Sequence, residues 1–291
     1  MTNCLDLLPC LDSPEMGRQR QNELQIERSQ AVMLAKTAIG VATRGFYVNE
    51  AQEKIDLNHA IEVSYSNSLS IAPDTALPTS ASAAHSVTLV QVTNETTLGA
   101  SRRLVDAGSK PLALNFANGI QPGGGFLDGA RAQEEVLCRS SLLYLTLVED
   151  PMYAVHRKLA RPDSTDWAIY SPDVAVFRTD DGTNLDTPWL LSFITCAAPY
   201  APSVGQPKSG DLLQQRIHRV LEIAQAYGYT DLVLGAWGCG AFRNDVKRTA
   251  MDFRQALEGE FRGAFSQVVF AITDWSAERR SLGPFRDVFA A

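Results

Sequence analysis

Two rhythms of apolar and polar positions divide the chain. Residues 17–39 set Leu24, Val32, Leu34 and Ile39 among Glu, Gln, Arg and Ala, the pattern of an amphipathic helix. Residues 64–86 are dominated by Ser, Thr, Ala and Pro, with Asp74 as their only formal charge, and read as a linker or long surface excursion. From residue 87 strand and helix signals alternate. A buried strand is expected at 87–93, a short helix at 97–107 closed by Gly108 and Pro111, a strand at 111–117 and a helix at 132–148. Strands follow at 174–178 and 189–197, about the turn-like Asp180, Asp181 and Gly182. Then come a helix at 209–227, a strand at 231–236, a helix at 244–258 and a strand at 267–273. Continuous apolar strands between helices predict an α/β fold of three layers, α/β/α, with a mixed central sheet covered on both faces. The expected organisation is an N-terminal accessory segment, residues 1–86, helical plus linker and packed on the core, and a main domain at residues 87–291.

Composition narrows the class. A chain of 291 residues, 45% hydrophobic and 20% charged, can bury a large core and is neither a disulfide-stapled miniprotein nor a disordered chain. The formal charge of −7 argues against sequence-blind DNA or RNA binding, whose affinity comes from Lys and Arg on phosphates. An anionic ligand would therefore be held by local devices. The five cysteines (Cys4, Cys10, Cys138, Cys196, Cys239) are odd in number, lack CxxC spacing and do not cluster with His59, His85, His156 or His218. That pattern disfavours a zinc site or disulfide framework and suits reduced thiols in the cytoplasm. Residues 1–12 lack the basic lead of a signal peptide. The longest uncharged stretch, 187–207, contains Pro188, Pro199, Pro202 and Pro207, so no membrane span is expected.

Two glycine-rich loops carry the candidate chemistry, each leaving a strand and entering a helix, where α/β sheets bind ligands. The first runs from Asn115 through Asn118 and Gly123, Gly124 and Gly125 to Gln133, Glu134 and Glu135. Consecutive glycines let a ligand approach the backbone and expose N–H donors. It is not a Walker A loop, because Ala130 and Arg131 stand where Lys and Ser/Thr are required. The second, Gly235 to Phe242, includes Gly238, Cys239, Gly240 and Ala241 and precedes a helix, an arrangement suited to phosphate. Its G-x-x-G-x-G order is not the dinucleotide fingerprint. Phe242 is placed to pack on a base or sugar, or in the core. Glu134 and Glu135 open a helix, where acids ordinarily complement the dipole; their place directly after the glycines points to chemistry instead. Adjacent helical residues diverge by about 100°, so the pair does not flank one bond as two glycosidase carboxylates do. One can act as acid/base while the other orients a hydroxyl.

The run from Asn115 to Asn118, through Gly123–Gly125, to Gln133, Glu134 and Glu135 resembles the signature of poly(ADP-ribose) glycohydrolases. Its continuation to Ser141, and the segment from Gly235 to Asp245, resemble the bacterial or microbial type. The resemblance implies a macrodomain-like fold and hydrolysis of ribose–ribose O-glycosidic bonds. By matching position Glu135 would be the acid/base, Glu134 and Asn118 would bind hydroxyls of the cleaved ribose, and Gln133 would join the substrate-binding set. Gly123, Gly124 and Gly125 would hold the distal ribose and diphosphate, with Gly238, Cys239, Gly240 and Ala241 across the diphosphate and Phe242 beside the terminal ADP-ribose. The loop at residues 94–97 lies where macrodomains approach adenine. The implied partners are poly(ADP-ribose) or ADP-ribose and poly-ADP-ribosylated proteins; the chain is expected to be a monomer without cofactor or metal. Three readings stay open beside it: a non-catalytic ADP-ribose reader, a hydrolase of mono-ADP-ribosylated protein or O-acetyl-ADP-ribose, and a Cys–His hydrolase using Cys138 or Cys239. The tandem acid favours an enzyme over a reader.

Overall fold

A computed structural model describes residues 4–79, 85–159 and 161–290; part of the expected linker and the extreme N-terminus lie outside them. The strands are β1 (Leu5–Leu7), β2 (Phe46–Val48), β3 (Lys54–Asp56), β4 (Leu69–Ile71), β5 (Thr88–Thr93), β6 (Leu112–Ala117), β7 (Ala168–Arg178), β8 (Asn184–Ala197), β9 (Asp231–Leu234) and β10 (Gln267–Ala271). The helices are α1 (Pro14–Leu24), α2 (Arg28–Arg44), α3 (Asn58–Asn67), α4 (Thr97–Asp106), α5 (Gln133–Ser140), α6 (Leu143–Leu147), α7 (Pro151–Leu159), α8 (Ala201–Val204), α9 (Lys208–Ala226), α10 (Val246–Glu258) and α11 (Leu282–Val288).

Successive side chains of a strand point to opposite faces, and the central strands use both. In β10, Val268 and Phe270 enter one apolar cluster with Ile217 of α9, Phe253 of α10 and Phe285 of α11. Val269 and Ala271 enter the other, with Leu104 of α4, Leu137 of α5 and Leu143 of α6. The result is the expected three-layer α/β/α arrangement. Its large sheet has the order β1-β5-β10-β9-β6-β8-β7-β4. Neighbours from β1 to β8 are parallel, whereas β7 pairs antiparallel with β8 and β4 with β7, so the sheet is mixed. The first 86 residues contribute two of these strands, β1 with Leu5 opposite Thr88 and β4 with Leu69 opposite Tyr170.

Several boundaries differ from the sequence expectation for identifiable reasons. The helix expected at 17–39 is two helices. Ser13 caps α1 by accepting the Met16 N–H, Pro14 occupies its first turn, and an extended Glu27 breaks the chain before α2. The helix expected at 132–148 divides at Ser141, whose extended backbone bridges Val176 of β7 while its hydroxyl accepts the Leu143 N–H. The region 64–86 holds the end of α3 and all of β4 before its irregular part. The short strands about residues 180–182 are one long hairpin, β7–β8, whose register shifts at Ser171/Val174 and Val176/Arg178 bend it against the helices.

The α1–α2 elbow is fastened to the first glycine loop. Arg28 Nε donates to the Asp128 carbonyl at 2.7 Å, and Arg131 Nη1 donates to the Ile26 carbonyl at 2.7 Å. Between them Gly129 adopts φ +79°, and a Cβ there would lie 2.6 Å from the Arg28 carbonyl oxygen. Gly129→Ala is therefore expected to destabilise the protein by about 1–3 kcal/mol in urea unfolding, combining left-handed strain with backbone collision. An unchanged midpoint would contradict this close approach.

Candidate active site

Strands β6 and β9 are parallel neighbours, with Leu112 opposite Leu232, so the loops leaving their carboxyl ends emerge side by side. Between these loops lies a cavity of about 460 Å³. Gln133 secures the start of α5 beside it. Its Oε1 accepts the Phe116 N–H at 2.9 Å, and its Nε2 donates to the Leu114 carbonyl at 2.7 Å and to Thr97 Oγ1 at 3.1 Å. These bonds fix the first turn of α5 to the end of β6 and the start of α4.

The two carboxylates that follow are both buried, 4% exposed at Glu134 and 8% at Glu135. Glu134 Oε2 accepts the Asn118 N–H at 2.7 Å. Glu135 Oε1 accepts the Gly125 N–H at 2.9 Å, while its Oε2 is enclosed without a hydrogen-bond partner. Two adjacent acids out of water are costly unless backbone donors meet them, and the glycine loop supplies those donors. Burial pushes Glu134 well above the ordinary carboxylate range; the Asn118 N–H pulls it back, and the Glu135 charge adds to the rise. Glycine is required at 124, where φ is +58° and a Cβ would run into Glu135 Oε1 and lie 2.9 Å from Glu134 Oε2. Asn118 Oδ1 accepts the Ile120 and Gln121 N–H groups at 2.9 and 3.0 Å. Its side chain is thereby held as part of the cavity wall.

Asn244 folds the second loop. Its Nδ2 donates to the Pro199 and Gly238 carbonyls at 2.9 and 3.0 Å, and its Oδ1 accepts from Ser209. Gly238 has φ +73°, and a Cβ would lie 2.8 Å from Asn244 Nδ2. The Cys239 N–H is spent on the Ala236 carbonyl. Among the described residues, the N–H groups of Gly240, Ala241 and Phe242 have no backbone acceptor outside regular elements. The helix beyond begins at Val246, and Asp245 caps it by accepting the Arg248 N–H. Its dipole is thus met by a carboxylate of the chain, so the anion-binding capacity lies in the loop amides. Phe242 lines the cavity edge-on to Tyr200, with ring centroids 5.7 Å apart.

The cavity gathers Asn118, Gln133, Glu134, Glu135, Gly238, Gly240, Ala241 and Phe242. Gly123, Gly124 and Gly125 underpin the carboxylates rather than forming its wall, and Gly124 N–H donates to the Gln121 carbonyl. Around residues 94–97, Glu95, Thr96 and Thr97 line the cavity, whereas Asn94 is buried, donating to Asp12 and to the Asp274 carbonyl. Sequence reasoning missed Leu24, Asp180 and Trp275. Asp180 had the signature of an ordinary turn, yet the bent hairpin brings it to Thr96, whose hydroxyl donates to it at 2.7 Å. Burial raises the Asp180 carboxyl to about 6. Among the described lining residues Arg131 is the one cation, against Glu95, Glu134, Glu135 and Asp180.

The cysteines are poor nucleophiles. Burial pushes Cys239 up to about 12 and Cys138 well above the usual thiol range. The Cys239 thiol turns inward, to the Trp237 carbonyl and Thr249 Oγ1. Neither thiol should be alkylated by iodoacetamide at pH 8 in the native protein, though both should react after denaturation. Rapid native labelling of Cys239, read by mass spectrometry, would count against this arrangement.

Residues 35–179 match the family model described as "Microbial-type PARG, catalytic domain". The solved poly(ADP-ribose) glycohydrolase from Thermomonospora curvata is 36% identical with a TM-score of 0.84, covering 89% of this chain and 99% of that one. The same protein bound to the inhibitor ADP-HPD is 35% identical with a TM-score of 0.82 over the same shares. A Deinococcus radiodurans poly(ADP-ribose) glycohydrolase in complex with ADP-ribose is 39% identical with a TM-score of 0.71, covering 80% of this chain and 98% of that one. The search of curated proteins finds no match.

Proposed function

The chain belongs to the microbial-type poly(ADP-ribose) glycohydrolases, glycosidases of macrodomain-like fold, and from that premise we propose how its own residues cleave the ribose–ribose O-glycosidic bond and release ADP-ribose. The observation that carries the assignment is the asymmetry of Glu135. One oxygen is fixed by the Gly125 N–H, and the other is enclosed without a partner beside the cavity. No protein donor holds that oxygen, so it is the one left for a substrate that enters beside it to engage. Protonated, Glu135 gives its proton to the departing ribose oxygen as the C–O bond breaks and positive charge develops at the anomeric carbon. A water then adds to that carbon, and the Glu135 carboxylate takes the water's proton, which restores the acid.

Glu134 and Asn118 bind and orient hydroxyls of the cleaved ribose, with Gln133 completing that side of the substrate-binding set. Gly123, Gly124 and Gly125 serve the distal ribose from behind the carboxylates, by leaving the room in which Glu134 and Glu135 meet it. Gly238, Cys239, Gly240 and Ala241 form the loop that faces the diphosphate, and the N–H groups of Gly240, Ala241 and Phe242 supply its donors. The Phe242 ring packs beside the terminal ADP-ribose. This division suits a wall with four carboxylates and one arginine, because backbone amides bind phosphate without a cationic field. Residues 87–291 carry these groups and act as the catalytic domain, with residues 1–86 as an accessory segment. We assign poly-ADP-ribosylated proteins as the substrates in the cell, met by a monomer in the cytoplasm; five cysteines free of disulfides are compatible with that reducing compartment.

Glu135→Gln should lower the rate of ADP-ribose release from polymer by about a hundredfold or more, while ADP-ribose affinity by calorimetry stays within a few-fold. Release by the variant at the wild-type rate would remove Glu135 from the reaction. Wild type that binds ADP-ribose but releases none from polymer would leave the reader instead. Gly124→Ala should also reduce kcat/KM, by about tenfold or more, since about 1.4 kcal/mol of misplacement at the acid suffices. Unaltered kinetics would show that the two carboxylates do not need the glycine.

A further inference from the structure

The loop between Asn118 and Gln121 must hold its backbone still, because the Asn118 N–H is the donor that fixes Glu134. One carbonyl of this loop, that of Gly119, is gripped from outside the cavity. His156, in the last turn of α7, is 1% exposed, and its Nδ1 lies 2.8 Å from the Gly119 oxygen. Its Nε2 lies 2.7 Å from Thr165 Oγ1. The hydrogen-bond chemistry fixes the ring's state. A carbonyl only accepts, so Nδ1 carries the proton. Thr165 Oγ1 already accepts the Trp167 N–H at 3.2 Å, so its own O–H is available to Nε2, which accepts. Burial lowers the pKa of His156, which keeps the ring neutral, although the Gly119 contact opposes the shift. Close approach is required on the other side of the loop too. A Cβ at Gly119 would collide with Ser164 Oγ and lie 3.0 Å from the Ala197 Cβ. Nothing in the proposed chemistry uses the imidazole as an acid or base, and no sequence motif marked it.

We propose that His156 is a positioning residue for the glycohydrolase reaction: its Nδ1–H holds the carbonyl of the Gly119–Ile120 peptide, whose N–H donates to Asn118 Oδ1 at 2.9 Å, and through that peptide it sets Asn118 and Glu134 against the ribose being cleaved. The inference rests on the glycohydrolase reading for its kinetic arm and on hydrogen bonding alone for its spectroscopic arm. Asparagine places an N–H close to where histidine has Nδ1, whereas glutamine places one close to Nε2. The two variants therefore separate the contact to Gly119 from the contact to Thr165.

The test uses the full chain with His156→Asn and His156→Gln, together with ¹⁵N-histidine NMR of the wild type. His156→Asn should keep kcat for ADP-ribose release within about threefold of wild type. His156→Gln should lose about tenfold or more in kcat, with KM less affected, because small misplacements of binding groups are amplified in the transition state. Melting temperatures of the two variants should agree within about 2 °C, a difference too small to explain the loss. The wild-type spectrum should show a neutral His156 protonated at Nδ1. Equal activity of the two variants, a loss in His156→Gln that simply follows its melting temperature, or an Nε2–H tautomer in wild type would each overturn the assignment. Absence of ADP-ribose release by the wild type would instead sink the glycohydrolase reading and the kinetic role with it, and the tautomer would then decide only whether Nδ1–H holds the Gly119 carbonyl.

Discussion

The structure depends on keeping two adjacent carboxylates out of water at the start of one helix. Both are buried, and at Glu134 burial and the neighbouring Glu135 charge oppose ionisation. What makes the arrangement tenable is a loop that returns to them and presents the N–H of Asn118 to one and the N–H of Gly125 to the other. That loop can approach only because position 124 lacks a side chain. Glycine, backbone donor and acid therefore form one device, and each part explains the other two.

Much of the remaining fold serves to hold that device. Gln133 ties the start of α5 to β6, and Asn118 folds its own loop through Oδ1. Arg28 and Arg131 join the loop's far end to the α1–α2 elbow. Helix α2 also reaches the hairpin, since Arg178 donates to the Leu34 carbonyl at 2.9 Å. The first 86 residues thus bear on the cavity from two sides, and Leu24 is part of its wall. The cavity's acidic lining and the protein's acidic charge are compatible with an anionic ligand, because backbone amides can bind phosphate without a cationic field.

The sheet and most of its helices were legible in the sequence because periodicity reports which face of an element is buried. Strands β5, β6, β9 and β10 fall where their apolar runs lie, and Thr96, Gly108 and Pro111 bracket α4 as cap and stop signals do. The breaks at Glu27 and Ser141 were not legible. They follow from partners distant in sequence, the Arg131 side chain gripping the Ile26 carbonyl and Val176 pairing with Ser141. The two glycine loops and the tandem acid were visible because they are local strings. Asp180 and His156 were invisible for the opposite reason: each is an unremarkable turn or helix residue until the bent hairpin or α7 delivers it.

The most direct measurement of the account is hydrolysis of poly(ADP-ribose) in H₂¹⁸O, with the products resolved by mass spectrometry. Protonation of the departing oxygen and addition of water at the anomeric carbon place one ¹⁸O in the anomeric hydroxyl of released ADP-ribose and none in the hydroxyl left on the partner ribose. Label in the partner hydroxyl, or no labelled ADP-ribose at all, would contradict it.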